Sequence, residues 1–187
     1  QEIFRLLKLT PQQELELVKP HNKLINSEPV MDVIDFLKKS TKLIVCGDYD
    51  CDGICSTTIS MLIANKLGIE AGYYIPNRFT EGYGVSQATL KMAYEKGYKD
   101  VLIIDNGVKA YEALEYAKKV GLNVAIVDHH LIENKLEVDA FLHPDVLDDY
   151  GASMCASGLI YCVAEAMGIS DDYMLALAAL GTIADVM

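Results

Sequence analysis

A chain of 187 residues with 51% hydrophobic and 23% charged residues has the composition of one ordinary domain, or one and a fragment, and excludes a disordered tail. Sixteen Lys and Arg against 27 Asp and Glu leave a net charge of −11, which excludes nucleic-acid binding by bulk charge, because holding a phosphate backbone depends on neutralisation by Lys and Arg. The same balance suits divalent cations, and through them a phosphate.

In chain order, residues 1–40 hold two amphipathic stretches, 11–18 and 29–39, expected to form an N-terminal helical extension packed against the sheet. Residues 43–46 read as a buried strand, and 54–67 as a helix stopped by Gly68. A second strand is expected over 71–75, ended by Pro76, and a helix over 86–96 with Ser86 as N-cap and Gly97 as stop. Residues 101–104 form a third strand, 110–120 a helix stopped by Gly121, Asn123–Val127 a fourth strand and Ala140–Leu142 a short fifth. Helices over 156–167 and 172–185 close the chain. Strands apolar on both faces and separated by helices indicate a doubly wound α/β fold, a mainly parallel sheet with helices on both faces.

The longest uncharged apolar stretches, 151–164 and 173–184, fall short of the roughly 18 residues of a membrane helix and read as buried core helices, so no membrane association is expected. Gln1-Glu2-Ile3-Phe4-Arg5 lacks a basic segment followed by an apolar one. The five cysteines then read as reduced thiols of a cytoplasmic protein rather than a disulfide framework. Met187 directly follows an apolar run, and the chain reads as a fragment with a remainder on the C-terminal side.

Ligands of open parallel sheets bind beyond the carboxyl ends of the strands. Here the first strand runs into Asp48-Tyr49-Asp50-Cys51-Asp52-Gly53, the third into Asp105-Asn106-Gly107 and the fourth into Asp128-His129-His130. If the first of these segments stays extended, Asp48, Asp50 and Asp52 share one side. A single strand-end aspartate reads as a solvated turn residue or helix cap. Three strand ends that each deliver one, with two histidines attached to the last, read as a metal site, because crowded carboxylates repel one another until a cation neutralises them. Carboxylates with imidazole and no paired cysteines suit Mn²⁺ or Mg²⁺ rather than structural zinc. His21 and His143 stand alone and read as surface or loop histidines, and the 11 tyrosines are too scattered to form a stacking platform.

These three motifs, in this order, resemble those of the DHH phosphoesterase superfamily. The segment Ile75-Pro76-Asn77-Arg78-Phe79-Thr80-Glu81-Gly82-Tyr83-Gly84 and the terminal Ala179-Leu180-Gly181-Thr182-Ile183-Ala184-Asp185-Val186-Met187 are similar to the RecJ branch, the single-stranded-DNA-specific exonucleases. The resemblance runs from about Leu43 to Met187 and implies a DHH catalytic domain over 41–187, with the branch's C-terminal substrate-binding domain absent from the chain. The basic DNA-holding surface would then belong to the absent part, in keeping with the charge of −11.

The resemblance also implies a hydrolase with two metal ions, Mn²⁺ with Mg²⁺ as a substitute, that degrades single-stranded DNA from its 5′ end to mononucleotides in DNA repair or recombination. Asp50 would bind the first ion and Asp52 the second. Asp105 would bridge them, and His129 and Asp185 would complete the second site. His130 is assigned to phosphate contact or transition-state stabilisation, and Arg78 faces the substrate phosphate, with a surface salt bridge as its alternative. Where some members carry a histidine four residues before the first-site aspartate, this chain has Cys46. Either the Cys46 thiolate ligates the first ion, or Cys46 is a core residue and Asp48 takes the vacant coordination, which is the preferred reading. The segment 150–158 holds fewer glycines than the resemblance leads one to expect. Two other functions remain: a DHH phosphodiesterase acting on short oligonucleotides or cyclic dinucleotides, and a non-catalytic DHH module that binds DNA or a repair or replication protein.

Overall fold

The computed structural model describes Thr10, residues 22–147 and residues 153–187. The expected helix at 11–18, His21 and residues 150–152 of the glycine-poor segment lie outside the described residues.

A short turn of helix, α1 (Asn22–Ile25), leads into α2 (Glu28–Lys39), whose first turn holds Pro29 and whose buried stripe is Val30, Val33, Ile34 and Leu37. The alternating units after it are β1 (Lys42–Cys46), α3 (Cys51–Leu67), β2 (Glu70–Tyr74), α4 (Gln87–Glu95), β3 (Asp100–Ile104), α5 (Tyr111–Val120), β4 (Asn123–Val127) and β5 (Ala140–Leu142). A single 3₁₀ turn (Pro144–Val146) and the helices α6 (Ala156–Ala166) and α7 (Asp172–Ala184) complete the chain. The Ser86 hydroxyl accepts from the Thr89 N–H as expected, and the stops at Gly68 and Gly121 are left-handed C-caps.

All five strands pair in parallel in the order β2-β1-β3-β4-β5. Side chains alternate across this sheet with period two. Leu43, Val45, Leu102, Ile104, Ala125 and Val127 pack on one face against α2, α3, α6 and α7. Ile44, Cys46, Val101, Ile103, Val124 and Ile126 pack on the other against α4 and α5. Burial on both faces is why β1, β3 and β4 are apolar at every position after the first rather than at every second one. Their backbone hydrogen bonds are met within the sheet, so the polar residues displaced from the strands collect at the ends.

The chain leaves β1 toward β2 on one side and then returns to place β3 on the other. The carboxyl ends of β1 and β3 therefore diverge at a topological switch point, where open α/β sheets leave a crevice. No helix among the described residues is long and apolar enough to cross a membrane.

Candidate metal centre

Three loops meet at that crevice. The loop after β1 carries Asp48 and Asp50, β3 runs into Asp105, and β4 runs into Asp128, His129 and His130. The expected extended run from 48 to 52 does not form. The chain turns into α3 at Cys51, and the Asp50 carboxylate caps that helix by accepting from the Gly53 N–H at 2.9 Å. The period-two argument fails there because a capped helix start rotates each residue by about 100° instead of 180°. Asp48 and Asp50 thus stay together, while Asp52, in the first helical turn, is carried to a separate group.

Two ligand groups result, sharing one neighbourhood. In the first, oxygens of Asp48, Asp50 and Asp105 lie within 4.8 Å of one another. In the second, Asp52, His129 and Asp185 do the same. Asp105 stands between the groups: its Oδ1 is 3.2 Å from His129 Nε2, which is also 3.5 Å from Asp185 Oδ2 and 3.9 Å from Asp52 Oδ2. Asp105, His129 and His130 form a third overlapping set.

Asp52 is buried and accepts from the backbone N–H groups of Ala156 at 2.8 Å and Ser157 at 3.0 Å, the open first turn of α6. It is a helix cap, but of a helix a hundred residues away, and it anchors the centre to α6. Gly181 of α7 makes this approach possible, since a Cβ there would sit 2.5 Å from Asp52 Oδ1 and would also overlap the Ser157 hydroxyl. Gly53 does the same in the first turn of α3, where a Cβ would lie 2.5 Å from the Asp48 carbonyl oxygen.

The electrostatics are those of crowded, desolvated acids. Burial, followed by the nearby Asp52 and Asp50 carboxylates, pushes the Asp105 pKa up to about 10. Burial also raises Asp48 and Asp185, with Asp50 adding to the first and Asp52 to the second. Asp48 Oδ1 and Asp105 Oδ2 are buried without any hydrogen-bond partner. Orphaned carboxylate oxygens, hard donors and one imidazole fit a small divalent cation, which removes the repulsion and supplies the missing partner. Cys46 lies outside these sets. Its side chain belongs to the core on the α4–α5 face, away from the carboxylates, and burial raises its thiol to about 12, so it stays protonated.

His130 is set by Asp128. Asp128 is fully buried and accepts four hydrogen bonds: from Val108 N–H at 3.1 Å, His129 N–H at 2.7 Å, His130 N–H at 3.2 Å and His130 Nδ1 at 2.8 Å. Burial alone would raise Asp128, but the bonds from His130 and from the backbone outweigh it and hold the carboxyl below its ordinary range. The reciprocal bond raises His130 and favours its imidazolium. The half-exposed Tyr83 donates to the Asp105 carbonyl at 3.1 Å, with its hydroxyl 3.1–3.2 Å from both His130 ring nitrogens.

Arg78 sits on an exposed turn braced by Glu81, which accepts from the Tyr74 hydroxyl and from the Asn77 N–H. Its guanidinium lies 5.2 Å from the Tyr49 ring centroid, a cation–π contact, and it has no ion-pair partner among the described residues. The expectation for His143 is corrected. It is buried, its Nε2 donates to the His130 carbonyl at 2.8 Å and its Nδ1 accepts from the Asp145 N–H at 3.0 Å, so it supports the loop that carries the paired histidines.

The strand-end pattern counts Asp128 among the aspartates of a metal site, but it lies outside all three ligand sets, bonded to His130 and to backbone N–H groups, and no role was expected for Tyr83, Asn106 or His143. Asp128, Tyr83 and Asn106 stand inside the motifs themselves, and an acid directly before two histidines at a strand end was a readable signal for Asp128. His143 carried none, because its partner is thirteen residues away across a strand boundary.

Residues 42–182 match the DHH family, N-terminal domain. The chain belongs to the DHH family. It is similar to the single-stranded-DNA-specific exonuclease RecJ of Bacillus subtilis, 34% identical over 158 residues that cover 81% of this chain and 20% of that protein. It is likewise similar to RecJ of Haemophilus influenzae, 31% identical over 187 residues covering 89% of this chain and 32% of that protein. The chain therefore spans about a fifth to a third of the length of these curated relatives. Among solved structures, the DHH chain superposes on exonuclease RecJ bound to manganese with a TM-score of 0.73 and 28% identity, covering 87% of this chain and 44% of that one.

Proposed function

We propose that this chain holds two divalent cations, Mn²⁺ or in its place Mg²⁺, and is the metal-holding part of a hydrolase that degrades single-stranded DNA from the 5′ end to mononucleotides. The observation that carries this reading is the convergence of Asp48, Asp50 and Asp105 on one side and Asp52, His129 and Asp185 on the other, with two buried carboxylate oxygens left unpartnered. The similarity to single-stranded-DNA-specific exonucleases, and to one whose structure contains manganese, supports the choice of substrate and ion.

Cations bound there supply activation of the attacking water and neutralisation of charge on the entering and leaving oxygens. The residues of the chain supply the rest. Asp48 and Asp50 hold the first position, and Asp52, His129 and Asp185 the second. Asp105 serves both, since its oxygens face both groups. His130, held toward its protonated form by Asp128, offers positive charge to a non-bridging phosphate oxygen. Arg78, resting on Tyr49, offers a second, two-pronged contact to phosphate.

The test is calorimetric titration of the chain with Mn²⁺, followed by hydrolysis assays on long single-stranded DNA and on dinucleotides. Two ions bound, with turnover of the long substrate by a protein containing this chain, is the expected result. Fewer than two ions would refute the metal assignment. Turnover confined to dinucleotides would move the function to a short-oligonucleotide phosphodiesterase. With a charge of −11, the chain alone is expected to bind single-stranded DNA weakly, through the metal and with a shallow salt dependence.

A further inference from the structure

Asn106 follows the carboxylate that serves both metal positions, and it is almost wholly buried. Its side-chain amide makes three hydrogen bonds, to the end of its own strand, to the end of β1 and to the loop before α4. Nδ2 donates to the Ile104 carbonyl at 2.9 Å and to the Cys46 carbonyl at 3.3 Å, and Oδ1 accepts from the Val85 N–H at 2.9 Å. The two donated bonds are buried, so losing the amide would leave the Ile104 and Cys46 carbonyls without these partners in the interior.

Each bond acts on a different part of the centre. The bond to Ile104 spans Asp105, whose φ of 60° lies in the left-handed region that costs a non-glycine residue energy. By closing a ring around that residue, Asn106 holds it in the strained conformation from which its carboxylate reaches both ligand groups. The bond to Cys46 crosses the switch point and ties the end of β3 to the end of β1, two residues before Asp48. The bond from Val85 secures the loop that carries Tyr83, and Gly84 passes over the Asn106 side chain at 3.5 Å from its would-be Cβ.

We propose that Asn106 is the positioning residue that sets the spacing between the two metal positions, by fixing the Asp105 backbone against the β1 loop that bears Asp48 and Asp50. This rests on the two-cation reading of the centre. An aspartate in place of the amide would lose both donated bonds, and any apolar residue would lose all three. Its side chain makes no hydrogen bond to a carboxylate or imidazole of the two ligand groups, so its effect passes through the backbone of Asp105 and the β1 end.

The experiment uses electron paramagnetic resonance of the chain loaded with two equivalents of Mn²⁺, with calorimetry for affinity and near-ultraviolet dichroism for folding. The wild-type chain is expected to give the spectrum of an exchange-coupled Mn²⁺ pair. Asn106→Ala, and Asn106→Leu, which refills the volume without hydrogen bonds, are expected to show isolated Mn²⁺ signals and about tenfold weaker binding of the first ion. A merely structural role would lower the melting temperature and leave both coupling and affinity unchanged, and that result overturns the proposal. One measurement needs no variant: in the metal-free wild type the Val85 amide should be protected from hydrogen exchange, and free exchange there overturns it too. If the wild type itself binds fewer than two ions, the two-cation reading fails and takes this proposal with it. If it binds a coupled pair and both variants match it, this proposal alone fails.

Discussion

Replacing Asp128 by Asn removes one charge and one acceptor from a fully buried carboxylate that receives four hydrogen bonds. Three of them, from His129 N–H, His130 N–H and His130 Nδ1, fall on Oδ1, and the fourth, from Val108 N–H, falls on Oδ2. The amide does least harm by keeping its oxygen under the three donors, which sets its NH₂ 3.1 Å from the Val108 N–H. That donor–donor contact forfeits one bond to a charged group and leaves a buried N–H unmet, while the three retained bonds lose their charge assistance. The sum is a destabilisation of about 2–4 kcal/mol.

The pH dependence has a definite sign. His130 is raised by its bond to Asp128, so its share of stability is fully present below the unfolded imidazole pKa of about 6.5 and is lost as the pH rises through its folded pKa. Asp128 is depressed, so its share is present above the unfolded carboxyl pKa of about 3.9 and is lost as the pH falls through its folded value. The pair therefore contributes most between about pH 4 and 6.5. The assay is urea unfolding of the metal-free protein at pH 5.5 and pH 8.5. The wild type should lose stability between these two values through this pair, and Asp128→Asn should flatten that loss as well as lower both midpoints. A variant as stable as the wild type, or one with the full pH slope, would refute the reasoning.

Three further outcomes are expected. Asp105→Asn should raise the melting temperature of the protein in chelator at pH 7.5, because a carboxyl whose pKa is pushed up to about 10 destabilises the fold at any pH above its unfolded value of about 3.9. The same variant should abolish hydrolysis and weaken binding of both ions, and a lower melting temperature would contradict the burial argument. Cys46→Val should leave the Mn²⁺ count unchanged while Asp48→Asn lowers affinity for the first ion, as titration of the two variants side by side will show; the reverse pattern would make the thiol a ligand. Gly181→Ala should cost about 1–3 kcal/mol in chemical denaturation and weaken binding of the second ion, since its Cβ displaces Asp52 from the start of α6.

Much of the architecture was legible in the sequence. Runs such as Val101 to Ile104 and Val124 to Val127 are apolar at every position, which only a strand covered on both faces requires, and glycines mark where the intervening helices stop. The acids at three strand ends pointed to one candidate metal centre for the same reason: a parallel sheet brings the carboxyl ends of its strands to one edge, so residues far apart in sequence converge whenever they end strands, although the third of them, Asp128, holds His130 instead of joining a ligand group. What the sequence could not decide was how those acids divide. That depends on α3 starting at Cys51, on the open N-terminus of α6 accepting Asp52, and on α7 delivering Asp185, three events whose partners lie up to about 130 residues apart. The roles of Asp128, Asn106 and His143 belong to the same class. Beside bonds to near neighbours in the chain, each makes one that joins distant segments, Val108 N–H to Asp128, Asn106 to Cys46 and His143 to His130, and these obey no local period, so only the packed arrangement of the sheet and its helices determines which donor meets which acceptor.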